Sequence, residues 1–374
     1  MDPSQPLAEA LPKPLPEALE SLLERFRAGK HQALARAISV VEGERTGFQE
    51  FLHHVLASGP RAGRIGFTGP PGAGKSSLIA EVANLCRVRD EEVGVVAVDP
   101  TSPYSGGALL GDRIRMNDLA TDKGIFIRSM ATRGSLGGLA TTSKEVIDLM
   151  DAFGLAQVLI ETVGVGQTEL EITGAADTVV VVLVPESGDG IQAMKAGMME
   201  IGDIFVVNKA DRPGSDRAVN ALKTALHLRS GEALRGVPAH HGLDLSSVTK
   251  KAGPDTSDTV SAVPEAPRAS PPGPVSWAVP VLTTVAQTGE GVPELLDAVN
   301  RHRQHLDESG QLGVRRRARA AVRVREVTER SLRGILWGNE AISGLLEEGL
   351  DGIQQGIATP YSVSASILNT LLAT

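Results

Sequence analysis

The stretch Gly66-Phe67-Thr68-Gly69-Pro70-Pro71-Gly72-Ala73-Gly74-Lys75-Ser76-Ser77 carries residue types spaced for one kind of chemistry. From Gly69 to Ser76 it reads G-x-x-x-x-G-K-[ST], a turn whose glycines let successive backbone N–H groups face a phosphate chain. Lys75 is spaced to reach the β- and γ-phosphates, and the Ser76 hydroxyl to bind Mg²⁺. The helix that the pattern predicts from about Ser76 adds its positive dipole end to the same place. Gly69, Pro70, Pro71, Gly72, Ala73, Gly74, Lys75, Ser76 and Ser77 are therefore the candidate phosphate-binding residues. A glycine-rich turn between a strand and a helix is common, but the full motif in this context implies a nucleoside phosphate.

A second motif, Asn208-Lys209-Ala210-Asp211, follows the apolar run Ile204-Phe205-Val206-Val207. A carboxylate at Asp211 accepts hydrogen bonds from the N1–H and 2-amino groups of guanine, whereas adenine would leave it desolvated and unpaired. Asn208 supports the loop and the base, and the Lys209 stem lies along the purine. Guanine is the expected base. Asp99, Asp112 and Glu161 are the acids available to Mg²⁺ beside Ser76, directly or through water. Glu161 opens Glu161-Thr162-Val163-Gly164, an E-x-x-G where many GTP-hydrolysing switch proteins carry D-x-x-G. Gln167 does not directly follow Gly164, so a water-orienting glutamine adjacent to that glycine is missing and slow intrinsic hydrolysis is expected. On residue type alone Lys195, in the loop Pro185–Lys195, reads as a surface lysine.

These residues need strands that end beside one another. Candidate strands are Arg64–Thr68, Val93–Asp99, Gly124–Arg128, Gln157–Glu161, Thr178–Pro185, Ile204–Asn208 and Val279–Thr284. Several are unbroken Val/Ile/Leu runs, as in strands covered on both faces. Alternation with helix patterns gives the fold class: α/β, a P-loop NTPase with a mostly parallel central sheet flanked by helices, plus a helical N-terminal extension and a C-terminal helical arm. Ligands in such sheets bind beyond the carboxyl ends of the strands, where Asp99, Glu161 and Asn208 fall. The expected divisions are an extension over 1–60 (1–16 Pro-rich and disordered), a GTPase domain over 61–306 with a Pro/Ser-rich insertion near 231–276, and an arm over 307–374. Within the arm, Arg315-Arg316-Arg317-Ala318-Arg319, Arg323 and Arg325 read as a solvated helix face, with Ala321, Val324, Val327, Leu332 and Ile335 available for an apolar side. A Leu/Ile-rich arm after a complete domain suggests self-association.

Composition narrows the class. The 374 residues are 41% hydrophobic but only 3% aromatic, so the core must be largely Val, Leu, Ile and Ala. A net charge of −8 disfavours non-specific nucleic-acid binding. Cys86, the single cysteine, cannot form an internal disulfide and suits a reducing cytosol. With no apolar run near the about 18 residues of a membrane span and no signal-peptide layout, a cytoplasmic protein without membrane contact is expected. His53-His54 and His240-His241 lack the spaced partners of a metal site.

Asp99-Pro100-Thr101-Ser102-Pro103-Tyr104-Ser105-Gly106-Gly107 through Met116, Met130-Ala131-Thr132-Arg133-Gly134-Ser135-Leu136-Gly137-Gly138-Leu139, Glu161–Gln167 and the Glu186–Lys195 loop together resemble the signatures of the MeaB/ArgK family. The resemblance covers roughly Leu22 to Leu306 apart from the insertion, and the tail more loosely. It implies a G-protein chaperone of an adenosylcobalamin-dependent acyl-CoA mutase of the methylmalonyl-CoA mutase type, gating cofactor loading, protecting the mutase and stimulated by it. GTP/GDP and Mg²⁺ are the implied ligands, and a homodimer formed through the arm the implied assembly. Family metal-site acids match Asp99, Asp112 and Glu161. A mobile-loop lysine matches Lys195, which joins Lys75 and Glu161 as a catalytic candidate. The family's guanine-contacting Ser-Ala-x loop stands here as Val285-Ala286-Gln287, so a serine hydroxyl is lost while a backbone contact is kept, and the insertion is longer than usual. Nothing in the sequence supports the older family label of amino-acid transport kinase. The competing readings are a GTP/GDP-binding module with negligible hydrolysis, a metallochaperone GTPase, for which one cysteine is too few, and an ATPase or small-molecule kinase, which Asn208–Asp211 disfavours.

Overall fold

The computed structural model describes residues 14–57, 59–99, 119–131, 141–162, 171–188, 197–229 and 277–373. In chain order the helices are α1 (Glu17–Arg27), α2 (His31–Glu42), α3 (Phe48–Leu56), α4 (Lys75–Val88), α5 (Thr141–Phe153), α6 (Met198–Ile201), α7 (Ser215–Arg229), α8 (Val292–Glu308), α9 (Gln311–Trp337), α10 (Glu340–Gln354) and α11 (Pro360–Ala373). The strands are β1 (Gly63–Thr68), β2 (Val93–Asp99), β3 (Ile125–Ala131), β4 (Gln157–Glu161), β5 (Thr178–Leu183), β6 (Ile204–Asn208) and β7 (Val281–Thr284). Among the described residues they form one sheet in the order β3-β2-β4-β1-β5-β6-β7, with every pair parallel.

The unbroken apolar runs mark the central strands. All of β1, β5 and β6 is buried. Alternate residues go to opposite faces, as a period of two requires. Val96, Val98, Val158, Ile160, Val179, Val181, Phe205 and Val207 join one core with α1–α3, α5 and α7. Val93, Val95, Leu159, Val180, Val182, Ile204 and Val206 join a second core with α4 and α8. The expected strands recur; β3 runs three residues beyond the expected Arg128, to Ala131, and β5 and β7 have shifted ends where proline intervenes. β5 stops at Leu183 and Pro185 opens a 3₁₀ turn to Gly188, because proline has no N–H to continue a ladder. β7 begins at Val281, after Pro280, whose carbonyl accepts from the Phe205 N–H.

The arginine stretch corrects the sequence reading. α9 turns Arg315, Arg316, Arg319, Arg323 and Arg330 inward, across the N-terminal ends of β1, β5 and β6 and onto α5, while Arg317 and Arg325 are exposed, as expected of a solvated face. Arg315 pairs with Asp203 (2.9 Å), and Arg316 and Arg319 both pair with Asp177. Arg323 and Arg330 reach Glu145 on α5, and Glu326 pairs with Lys144. Arg330 also lies over the Phe48 ring at 5.5 Å. Residues 315, 316, 319, 323, 326 and 330 share one helix face, and Val314, Leu332 and Ile335 are exposed on the opposite one. The charged side of this helix is docked and its apolar side faces outward. Among the described residues, no helix is long and apolar enough to cross a membrane.

Candidate nucleotide site

The loop between β1 and α4 is set by glycines that no other residue would replace comfortably. Gly69 has φ +135°, and a Cβ there would meet the Val182 carbonyl oxygen at 2.0 Å. Gly74 has φ +85° and lies so close to the Asn208 side chain that a Cβ would fall 2.5 Å from Nδ2. The loop thus sits directly on the end of β5 and against the residue that ends β6. Lys75 opens α4 and is buried, its Nζ donating to the carbonyls of Gly69 (2.9 Å) and Pro70 (3.2 Å). Its ammonium is held over the concave side of the loop.

Ser76 and Glu161 meet. The Ser76 hydroxyl donates to Glu161 Oε1 at 2.8 Å, and both residues are buried, with Glu161 ending β4. β4 is adjacent to β1, with Phe67 in register with Glu161, so the sheet itself sets this approach. Thr162 fixes the strand end, donating from its N–H to the Phe67 carbonyl (3.2 Å) and from its hydroxyl to Thr68 Oγ1 (3.1 Å). Two oxygens from a hydroxyl and a carboxylate fit a hard cation such as Mg²⁺, which takes oxygen donors and keeps several waters. Of the other expected acids, Asp99 closes β2 but its side chain lies outside the description, and Asp112 falls outside the described residues. Lys195, Gln167 and Gly164 do too.

Asn208 joins the two halves of the site. Its Nδ2 donates to the Ala73 carbonyl in the phosphate loop (2.9 Å), and its Oδ1 accepts from Thr284 Oγ1 and from the Ala286 N–H, each at 3.1 Å. Lys209 adopts φ +57° and its Nζ donates to the Gly72 carbonyl (2.7 Å), so the lysine stem crosses from the base motif to the phosphate loop. Val285 closes a bridge with Glu290 through its own N–H. Gly74, Ser77, Asn208, Lys209, Asp211, Arg212, Val285, Ala286 and Gln287 line a cavity of about 160 Å³. The phosphate-loop, base-motif and Val285-Ala286-Gln287 residues thus come together at one edge of the sheet.

Sequence reasoning missed Thr162, Thr284 and Arg212. The first two are ordinary strand-end threonines whose partners are set by strand order. Arg212 follows Asp211 directly, lines the base cavity and pairs with Glu186 at 2.8 Å, holding that carboxyl below the ordinary glutamate range. Glu186 lies in the turn after β5, so this exposed pair links the base motif to the segment leading towards Lys195.

A family model described as "Methylmalonyl Co-A mutase-associated GTPase MeaB" matches residues 34–341. A protein of Pyrococcus abyssi that carries a GTPase name is 39% identical over 357 residues, covering 95% of this chain and 97% of its own. The mouse protein named "Methylmalonic aciduria type A homolog, mitochondrial" is 32% identical over 308 residues, 79% of this chain and 65% of its own. Among solved structures, one described as an LAO/AO transport system kinase matches with a TM-score of 0.59 and 24% identity, over 96% of this chain and 100% of that one, a likeness of fold.

Proposed function

Because the chain belongs to the MeaB family of methylmalonyl-CoA mutase-associated GTPases, we propose that it is a GTP-hydrolysing chaperone of an adenosylcobalamin-dependent acyl-CoA mutase. In this reading it gates cofactor loading, protects the mutase and hydrolyses GTP slowly until the mutase is present. The observation that carries the nucleotide reading is Asn208, which bonds the phosphate loop through the Ala73 carbonyl and the base loop through the Ala286 N–H. This supports a site in which one hydrogen-bonded unit would set both triphosphate position and base identity.

In this reading each residue has a role. Loop N–H groups and Lys75 bind the β- and γ-phosphates, and Lys75 neutralises charge as it moves towards the leaving oxygen. Ser76 and Glu161 would hold Mg²⁺, with Asp99 and Asp112 as further acids. When bound, Mg²⁺ neutralises charge on the phosphate oxygens. Asp211 accepts from the guanine N1–H and 2-amino groups, Lys209 lies along the purine, and the backbone of Val285-Ala286-Gln287 closes its edge. Lys195, which lies outside the described residues, would act in hydrolysis as the family's mobile-loop lysine does.

The divisions proposed are an extension over 1–60, a GTPase domain over 61–306 and a dimerisation arm over 307–374, in a cytoplasmic homodimer. The outward apolar face of α9 supports self-association through the arm. The test of the client is GTP turnover by the purified chain, alone and with an adenosylcobalamin-dependent mutase from the same organism. The expected result is a slow basal rate that rises clearly with the mutase; an unchanged rate with a mutase shown to bind the chain overturns the switch reading.

A further inference from the structure

One cavity lies far from the nucleotide site. It has a volume of about 300 Å³ and is walled by α3, α5, the start of β1 and the inner face of α9. β1 runs from this cavity to the phosphate loop, so the two sites are roughly 15–20 Å apart on opposite edges of the sheet. The size is at the lower end of small-molecule sites.

The lining has two chemistries. Ile147, Ala152, Ala175, Ala320 and Val324 supply an apolar surface, and Arg64, Lys144, Arg316, Arg319 and Arg323 supply positive charge. Only two lining residues are acidic, Asp148 and Asp151, and both are already engaged by Arg64. Arg64 reaches Asp148 Oδ1 at 2.9 Å and Asp151 Oδ2 at 2.7 Å, while Asp151 Oδ1 accepts from the backbone N–H groups of Arg61 and Ala62. Of the acids that offset the other cations, Asp177, Glu145 and Glu326 do not line the cavity, whereas Asp148, which does, also lies 3.9 Å from Arg323. Two guanidiniums, Arg316 and Arg319, share the single Asp177 carboxylate. Burial, reinforced by repulsion from Arg64 and Arg316, outweighs the pull of Asp177 and holds Arg319 below the ordinary arginine range. The charged residues on the lining are therefore mostly cationic, with Asp177, Glu145 and Glu326 paired to them from behind the wall.

We propose that this cavity binds a small organic anion, a carboxylate or phosphate monoester with a short apolar body, with its head on the guanidiniums of Arg316 and Arg319 and its body against Ile147 and Ala320. Planar guanidinium forks suit the oxygens of either head group. An inorganic anion would leave the apolar lining unused. Because the wall combines α3 and α5 with α9, an occupant touches both the domain and the arm, and its binding stabilises the docked arrangement.

The test is isothermal titration of hexanoate, n-butyl phosphate and inorganic phosphate into the full chain saturated with GDP, which keeps the phosphate loop occupied. One of the two organic anions is expected to bind with a stoichiometry of one, and which one does so identifies the head group. Ala320→Phe, at an exposed wall position, fills the cavity and is expected to abolish that binding without changing GDP affinity. Arg319→Gln is expected to weaken it about tenfold or more, the effect of losing one charge-assisted contact. Three results overturn the proposal: neither organic anion binds at 10-millimolar order concentrations, inorganic phosphate binds as tightly as they do, or binding survives Ala320→Phe.

Discussion

Replacing Asp211 by Asn exchanges a carboxylate with two acceptor oxygens for an amide that donates on one side. The guanine 2-amino group then faces a donor, whereas the 2-oxo group of xanthine faces a partner. GTP affinity is expected to fall about a hundredfold or more, with xanthosine triphosphate bound better than GTP. Equal GTP affinity in the Asp211→Asn variant would remove Asp211 from the base contact. Cys86 gives a second residue-scale prediction, because burial pushes its thiol up to about 12. It stays protonated and inaccessible at pH 8, so iodoacetamide is expected to leave the native chain unlabelled and to modify it once unfolded. Native labelling at the unfolded rate would contradict that burial. The motif residues themselves were legible because their chemistry depends on short spacing: Gly69 to Ser76 and Asn208 to Asp211 are each contiguous. The Ser76–Glu161 contact was legible only as two separate metal candidates, since strand order, which no local pattern encodes, brings them to 2.8 Å.

At the scale of elements, α9 is held by paired charges rather than by a greasy face. Asp177 is buried between Arg316 and Arg319. Removing one partner of a buried pair strands the other charges, so Asp177→Ala is expected to destabilise the chain by about 3–5 kcal/mol. Arg325→Ala, on the exposed side of the same helix, is expected to stay within about 0.5 kcal/mol. Urea unfolding of both variants measures the contrast, and equal effects would contradict the docked face. Acid provides a second check. Burial opposes ionisation of Asp177 and Asp203, but Arg316 and Arg319 on the former, and His302 and Arg315 on the latter, hold both carboxyls below the ordinary aspartate range. A depressed folded value means the stabilisation is complete above the unfolded value of about 3.9 and is lost as pH falls through the folded values. The urea midpoint is therefore expected to drop steeply below about pH 4, and less so in Asp177→Ala. The strands were readable because unbroken Val/Ile runs signal burial on both faces. The direction of α9 was not, because Arg316 stands 139 residues after Asp177 in the chain and only the fold brings this charge pattern to its acids.

The whole molecule has a nucleotide edge, an opposite edge at the N-terminal ends of the strands clamped by α9, and an outward apolar stripe. Leu332 and Ile335, 52% and 60% exposed, lie on that stripe. If the arm joins two copies, Leu332→Glu together with Ile335→Glu is expected to convert a dimer to a monomer in light scattering, with the folded domain and GDP binding intact. A wild-type monomer at micromolar concentration would contradict self-association through this face. The parallel sheet and its helical flanks followed from alternation in the sequence, and the helical character of both ends from apolar periodicity. Which side of the arm faces the domain follows instead from where its counter-charges lie.

The most direct measurement is phosphate release by the unaltered chain with Mg²⁺ and either GTP or ATP as sole nucleotide. Phosphate released from GTP and not from ATP is the expected result, with Glu161→Gln reducing it. Equal release from both nucleotides, or from ATP alone, would contradict a site in which Asp211 selects the base and the Lys75, Ser76 and Glu161 cluster acts on its triphosphate.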